Sequence, residues 1–468
     1  MNFLPYLDRL NDITWTYVVI PMLVGCAVYF TWNLRAVQFT HLGEMLRNLF
    51  RGEGQNVGPR HHKHISSFQA FAVSLSSRVG TGNLAGVASA IYVGGPGSIF
   101  WMWVMALLGA STAFMESTLA QLFKRTGEAS FYGGPAYYMQ FGLHRRWMGV
   151  LFAVFMIFGF GLANQVVQSN TLCSAISDGF QIDVRWVGAV LAVLTLVIIF
   201  GGIQRIAHFS VVVVPFMAIG YILLALYIIL TNLPQIPAML SLIVKSAFGW
   251  HQAAGGAVGI AVMQGIRRGL FSNEAGEGSS PNAAATAAIS HPVKQGLLQS
   301  LGVFTDTLVI CSCTAFIILL SGFYTGGDDG IILTSRAMSF HLGPVGAWFL
   351  TAAIMLFAYS TIIANYFYGE SNVRFITGKP WVLTLFRIAS GIVVMLGGVM
   401  TLKQAWSVVD LAMALMTILN LIAVILLSRY AFRLLNDYKE QRRAGRDPMF
   451  HRSMFPEAKL DAWNEVPD

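Results

Sequence analysis

Long apolar runs recur along this chain at lengths that one kind of element explains. A helix needs about 20 mostly apolar residues to cross roughly 30 Å of hydrocarbon. Eleven stretches qualify, at 15–35, 66–93, 97–123, 147–171, 184–201, 209–231, 252–276, 295–322, 344–369, 381–400 and 404–428. Two shorter, mixed stretches, 37–49 and 235–250, read as helices lying along the interface. No segment alternates with period 2 long enough to suggest an outer-membrane barrel. The pattern predicts an all-α integral membrane protein of about 11 transmembrane helices. Its loops are short, with no soluble catalytic domain inserted.

Composition agrees. Of 468 residues, 55% are apolar and only 11% are charged, and mean hydropathy is +0.61. An ordinary soluble protein carries about 25% charged residues. So few charges cannot cover a water-soluble surface around so much apolar material, which excludes a soluble enzyme, a nucleic-acid binder and a disordered chain. The net charge of +8 is topology information instead. With the N-terminus outside, only Arg9, Arg185, Lys245, Arg336 and Lys403 fall in outer loops. The inner loops then hold 21 Lys and Arg, from Arg35 through to Lys459. The positive-inside bias predicts N-terminus out and C-terminus in the cytoplasm. The first 15 residues, MNFLPYLDRLNDITW, carry no basic leader, so the first apolar run reads as a retained span. Cys26, Cys173, Cys311 and Cys313 show neither zinc-ligand nor disulfide spacing.

Two spans break the rule that a bundle helix should be apolar. Span 2 carries Ser74-Leu-Ser-Ser-Arg-Val-Gly-Thr-Gly-Asn-Leu-Ala-Gly86, and span 7 runs through Gln264 to Asn282 with GLFSNEAGEGSSPN. A charged residue at bilayer centre costs at least ~2.5–3.5 kcal/mol. Irregular backbone at that depth survives only where it is buried in protein or lines a cavity. With span 1 set aside, spans 2–11 divide into five and five, and each five begins with an interrupted span. The odd number inverts one half against the other. That is the pattern of a secondary transporter with a 5+5 inverted repeat and two broken helices. The implied organisation is a peripheral first span and basic loop (1–65), two halves (66–231 and 252–428) and a cytoplasmic tail (429–468) whose basic residues sit at the headgroups. No sequence identity between the halves supports the repeat, which rests on pattern.

A broken helix frees N–H groups at one half's N-terminus and carbonyls at the other half's C-terminus. The first set suits a carboxylate, and the second suits an ammonium or a hard cation. Glycines such as Gly80, Gly82 and Gly86 allow close approach to the main chain. The chemistry fits a small zwitterion accompanied by Na⁺. Close helix packing accounts for glycines elsewhere, such as Gly94, Gly95 and Gly97 in a turn, but not for GTGN beside Arg78.

The blocks SSRVGTGNLAGVASAIYVGGPGSIFWMW (76–103), RRGLFSNEAGEGSSPNAAA (267–285), FTDTLVICS (304–312) and FAYSTIIANYFYGE (357–370) resemble the alanine or glycine:cation symporter family. That family shares the leucine-transporter-like fold, and the resemblance runs from about residue 15 to 450. It implies uptake of alanine or glycine driven by sodium as coupling ion, with no other cofactor, across the plasma membrane, in bacteria the inner membrane. Proton-coupled or uncoupled movement of another small zwitterion, such as serine, is the alternative, and D-alanine stays open. By motif, Thr81 and Gly82 match positions whose main chain receives the substrate carboxylate. Val79, by its carbonyl, and Asn83, by its side chain, match sodium ligands. Phe271, Ser272 and Asn273 match the unwound part of span 7 that faces the amino acid. Ser360 and Thr361 match the hydroxyl pair of the other sodium site. In span 4, Gln168 and Asn170 align, while the preceding Gly-Asn pair of the family is absent.

Other polar residues invite roles. Arg78, Arg267, Arg268, Glu274 and Glu277 are candidates to pair across the two broken helices as a gate or as a fixed ion-pair set, with Arg78 and Glu274 foremost. Asp306 lies near the cation or anchors a neighbouring helix, and Glu116, Glu370 and Asp410 read as structural. His61, His62 and His64 read as a solvated loop. No phosphate loop, HExxH or GxSxG is present, which argues against ATP drive and against an enzyme. Oligomeric state is not legible.

Overall fold

The computed structural model describes residues 4–50, 65–127, 130–249, 255–400 and 402–463. Nearly all of the described chain is helical. Among the described residues, eight helices are long and apolar enough to cross a membrane: Leu4–Asn33, Gly97–Leu122, Arg146–Ser177, Gly202–Thr231, Pro292–Ser321, Pro344–Ile376, Pro380–Gly397 and Leu402–Arg443. Val184–Ile199 is a shorter apolar helix. The two polar-rich spans are interrupted, one between Ser67–Arg78 and Val87–Gly94, the other between Gly255–Asn273 and Pro281–Ala284. The shorter, mixed stretches at 37–49 and 235–250 are helical, as Val37–Thr40, Leu42–Phe50 and Ile236–Ala247.

Helices differ in what they turn outward. On Gly202–Thr231, Val212, Phe216, Ile219 and Leu223 are exposed at spacings of three and four, so one whole face is an apolar stripe. Water would not tolerate such a stripe, and a bilayer requires it. Gly97–Leu122 is the opposite case, buried at every position from Gly109 to Leu122. It forms a central rod against which both broken helices pack. Ser66 starts the first broken helix with a reciprocal cap, its Oγ accepting from Gln69 N while Gln69 Oε1 accepts from Ser66 N.

Several elements were not legible as such. Arg125–Thr126 and Phe131–Tyr132 pair antiparallel, so the fold departs from all-α by one short hairpin, closed by Gly127 N donating to Ser130 O at 3.1 Å. Pro135–Phe141 and Gly330–Leu342 are helices inside what read as loops. Leu402–Arg443 is one unbroken helix of 42 residues that runs on past 428. Tyr430, Ala431, Leu434, Leu435 and Tyr438 carry its buried face onward at helical spacing. The loop holding His61, His62 and His64 lies outside the described residues.

Candidate functional site

The first interruption is built at Val79–Gly82. Helix Ser67–Arg78 ends there, and its last carbonyls converge on one side chain. Thr361 Oγ1 lies 2.9 Å from Ser76 O, 3.4 Å from Ser77 O and 3.3 Å from Val79 O, and donates back to Phe357 O at 2.9 Å. One hydroxyl proton cannot serve four carbonyls, so this end of the helix holds surplus oxygen acceptors. An all-oxygen set of this kind suits a hard cation. Ser360 lies on the same surface, its carbonyl accepting from Ser76 Oγ at 2.9 Å and its own hydroxyl turned to Phe357 O at 3.0 Å.

The freed N–H groups face other partners. Gly80 N donates to Asn83 Oδ1 at 2.9 Å, and Thr81 N donates to Gln168 Oε1 at 3.2 Å. The Thr81 hydroxyl is buried without a hydrogen-bond partner. A Cβ on Gly80 would sit 2.5 Å from Thr361 Oγ1, and one on Gly82 would sit 2.9 Å from the Phe271 ring. These two glycines are required by close approach across the site.

The second interruption is built differently. Phe271, Ser272 and Asn273 lie on the last helical turn and not in the unwound part that the motif implied, and unwinding begins at Glu274, three residues later. Asn273 ends the helix by accepting from Ala275 N at 3.0 Å, and its amide donates to Thr307 Oγ1 at 3.1 Å. Glu274, Gly276 and Gly278 all adopt left-handed backbone, with φ of 58°, 98° and 85°. Glu116 reaches the break from the central rod, accepting from Gly276 N at 3.2 Å and from Asn420 Nδ2 at 2.7 Å.

Asp306 joins the two breaks. It accepts from Asn83 Nδ2 at 2.6 Å, Ser272 Oγ at 2.7 Å and Thr307 Oγ1 at 3.0 Å, and all four residues are buried. It lies on Phe304–Cys311, a stretch wound as wider π turns, as are Gly82–Gly86 and Gly159–Asn164. Such widened turns often accompany functional sites.

The proposed gate residues pair elsewhere. Among the described residues Arg78 and Glu274 form no direct ion pair. Arg78 donates to Ser280 Oγ at 2.9 Å and Gln299 O at 3.1 Å, while Glu274 accepts from Ser77 and Ser279. The two breaks are thus cross-linked through serines. Arg267 pairs with Asp410, which makes Asp410 an ion-pair partner as well as a packing anchor. Arg268 lies over the Trp406 ring at 4.9 Å, and Trp406 in turn packs on Phe271 at 4.6 Å. Beyond that pair opens a cavity of about 670 Å³, lined by Asp12, Arg267, Arg268, Asp329, Trp406 and Asp410 among others. Asn170 turns away from the site to Gly397 O and Met400 O. Glu370 binds Arg374 and Arg387. Sequence reading missed Trp406, Thr307 and Asn365, whose Oδ1 accepts from Ser77 at 2.8 Å. Thr307 and Asn365 lie within the blocks that carry the resemblance, as a hydroxyl and an amide in apolar spans, whereas Trp406 gave no signal of its own.

Over residues 2–452 the chain matches the sodium:alanine symporter family. It is 47% identical over 446 residues to the probable sodium/glutamine symporter GlnT of Bacillus subtilis, covering 95% of this chain and 92% of that protein. It is 46% identical over 457 residues to the amino-acid carrier protein AlsT of the same organism, covering 97% and 96%. Among solved structures, the manganese transporter of Eremococcus coleocola in complex with an aromatic bis-isothiourea compound superposes with a TM-score of 0.51, at 13% identity over 86% of each chain. That likeness is one of fold.

Proposed function

This chain belongs to the sodium:alanine symporter family, and from that premise we propose that it takes up a small neutral amino acid, alanine or glycine, together with Na⁺ by alternating access. The observation that carries this reading is the meeting of two broken helices at one buried polar centre, Asn83–Asp306–Ser272, beside the oxygen cluster around Thr361. We count the eight long apolar helices, the shorter apolar helix and the two interrupted segments as eleven crossings. We read spans 2–11 as a 5+5 inverted repeat, with the N-terminus outside and the C-terminus in the cytoplasm.

In this mechanism Na⁺ binds among the carbonyls of Ser76 and Val79 and the hydroxyls of Ser360 and Thr361. Asn83 and Asp306 form the second polar centre, which receives a cation or the substrate ammonium. The substrate carboxylate takes the N–H groups at Thr81 and Gly82, displacing the neutral Gln168 oxygen from Thr81 N. The Phe271 ring lies close against Gly82, where a Cβ would fall 2.9 Å from it, and the proposed preference for alanine or glycine rests on the family and not on pocket volume. Phe271 and Trp406 separate this centre from the 670 Å³ cavity and form its outer lid. Release to the cytoplasm requires the serine cross-links between the breaks to part. Each charge carried across ~100 mV supplies about 2.3 kcal/mol, roughly a 50-fold accumulation.

Uptake into proteoliposomes tests the reading. Concentration of labelled alanine or glycine on an inward Na⁺ gradient is expected. Accumulation that follows an imposed proton gradient and ignores Na⁺ selects the proton-coupled alternative, and equilibration without accumulation selects a facilitator. Competition by alanine, glycine, serine, D-alanine and glutamine fixes the substrate. Glutamine belongs in that panel because the relative GlnT is named for it.

A further inference from the structure

Far from the transport centre, the turn after the first membrane helix and the end of the longest helix enclose a second cavity, of about 510 Å³. Its floor is apolar, with Leu34, Phe432 and Leu435. Its rim is cationic, with Arg35, Lys439, Arg442 and Arg443, and His41 beside them. Two carboxylates share the wall, Glu44 and Glu440. Glu44 is already engaged by Arg442 at 2.8 Å and by Arg47 at 2.9 Å. Among the described residues, the side chains of Arg35, Lys439 and Arg443 have no hydrogen-bond or ion-pair partner. Among the described residues lining the cavity, Glu440 alone stands against these three uncompensated cations.

That crowding is held in place by the backbone. Arg35 and Ala36 are consecutive left-handed residues, with φ of 54° and 52°, a conformation L-residues adopt only at a cost. The turn they form directs the chain from the membrane helix onto Val37–Thr40 and Leu42–Phe50. Around it, Trp32 and Phe50 are more than four-fifths exposed, with Tyr29 and Phe39 also outward. Aromatic residues of this kind mark the level of lipid headgroups. The Lys439 ammonium is pushed below its ordinary range by burial and by the neighbouring Arg35 and Arg443, so a bound anion would relieve it.

We propose that this cavity binds the phosphodiester headgroup of an anionic glycerophospholipid, in the leaflet on the side of the C-terminal tail. The cationic rim takes the phosphate oxygens, the apolar floor takes the glycerol end, and the acyl chains leave along Tyr29 and Trp32. A lipid held there ties the first membrane helix to the tail of the last.

Native mass spectrometry of the full chain in neutral detergent tests the proposal, with phosphatidylglycerol, phosphatidylcholine and inorganic phosphate offered separately. One phosphatidylglycerol per chain is expected to be retained, in preference to phosphatidylcholine. Each basic residue near an anionic headgroup contributes about fivefold in affinity, so the R35Q/K439Q/R443Q variant should bind about 100-fold more weakly. R443Q alone should lose about fivefold, and R446Q, in the tail outside the cavity, should match the parent. Should the triple variant fail to fold, R443Q against R446Q decides. Undiminished binding by the triple variant, or equal loss in R443Q and R446Q, would overturn the site. Displacement of the lipid by inorganic phosphate at equal concentration would overturn the lipid and leave a free-phosphate site.

Discussion

The first broken helix interrupts itself without one left-handed residue, whereas the second uses three in five positions, Glu274, Gly276 and Gly278. Their freed backbone groups also end on different partners. At the first break they meet neutral side chains that can exchange partners, a Thr361 hydroxyl and a Gln168 amide, and the Thr81 hydroxyl is left over. At the second they meet the oxygen of Asn273 and the carboxylate of Glu116, with Asn420 holding both Glu116 and Gly276 O. An unsatisfied buried polar group costs about 1–3 kcal/mol, and each break keeps one, the Thr81 hydroxyl at the first and the Glu277 carboxylate at the second. The difference lies in the backbone, which exchangeable neutral side chains meet at the first break and Asn273, Glu116 and Asn420 tie down at the second. Two interruptions in matching positions therefore divide the labour under the proposed function. One exchanges ligands, and the other latches the bundle.

Substitutions should separate the two roles. The largest effect is expected for Gly80→Ala, whose new Cβ lies 2.5 Å from Thr361 Oγ1 and 3.2 Å from Gln168 Oε1. Forcing a methyl into a filled site costs typically 1–3 kcal/mol, so Na⁺-driven uptake should fall about 100-fold. The same crowding should lower the melting temperature by a few degrees, so uptake is read per folded molecule, and near-parent uptake would show that this approach is not where ligands meet. Gly276→Ala should cost stability and spare uptake. At a φ of 98° a side chain costs ~1–2 kcal/mol, read as a lower melting temperature, with uptake per folded molecule within about threefold. Abolished uptake at unchanged stability would remove the distinction between the breaks.

Thr361→Ala should raise the Na⁺ concentration for half-maximal uptake about tenfold, equivalent to losing one hydrogen bond's worth of stabilisation. Thr361→Ser keeps the oxygen and should stay near the parent. An unchanged Na⁺ dependence in the alanine variant would place the cation elsewhere. The smallest effect is expected for Trp406→Phe, which weakens the ring contact to Phe271 and should raise the KM for amino acid about threefold. A change in Na⁺ dependence alone would place Trp406 with the cation and not with the lid.

The positions of both breaks were legible because charged and polar residues at membrane depth are too costly for a continuous lipid-facing helix, and the glycines among them weaken it locally. Ser360 and Thr361 were picked out by motif, and packing sets both against the end of Ser67–Arg78. The gate was not. Arg78 and Glu274 are opposite charges on matching elements, yet each finds a nearer serine, and Arg267 finds Asp410 from a helix 143 residues away. Charge type predicts that pairing occurs and leaves the partner open, since the partner depends on helix rotation. Asp306 was visible as a carboxylate in an apolar span, but its three donors come from three separate segments.

Hydropathy and the scatter of Lys and Arg determined that this chain lives in a bilayer as helices, because burial in lipid is a property of local composition. Local glycine and polar content likewise determined where two of those helices must stop. Which freed group faces which side chain was decided only by tertiary packing. A hydrogen bond needs its two atoms within about 3 Å, and no spacing along the chain fixes the distance between Asn83, Ser272 and Asp306.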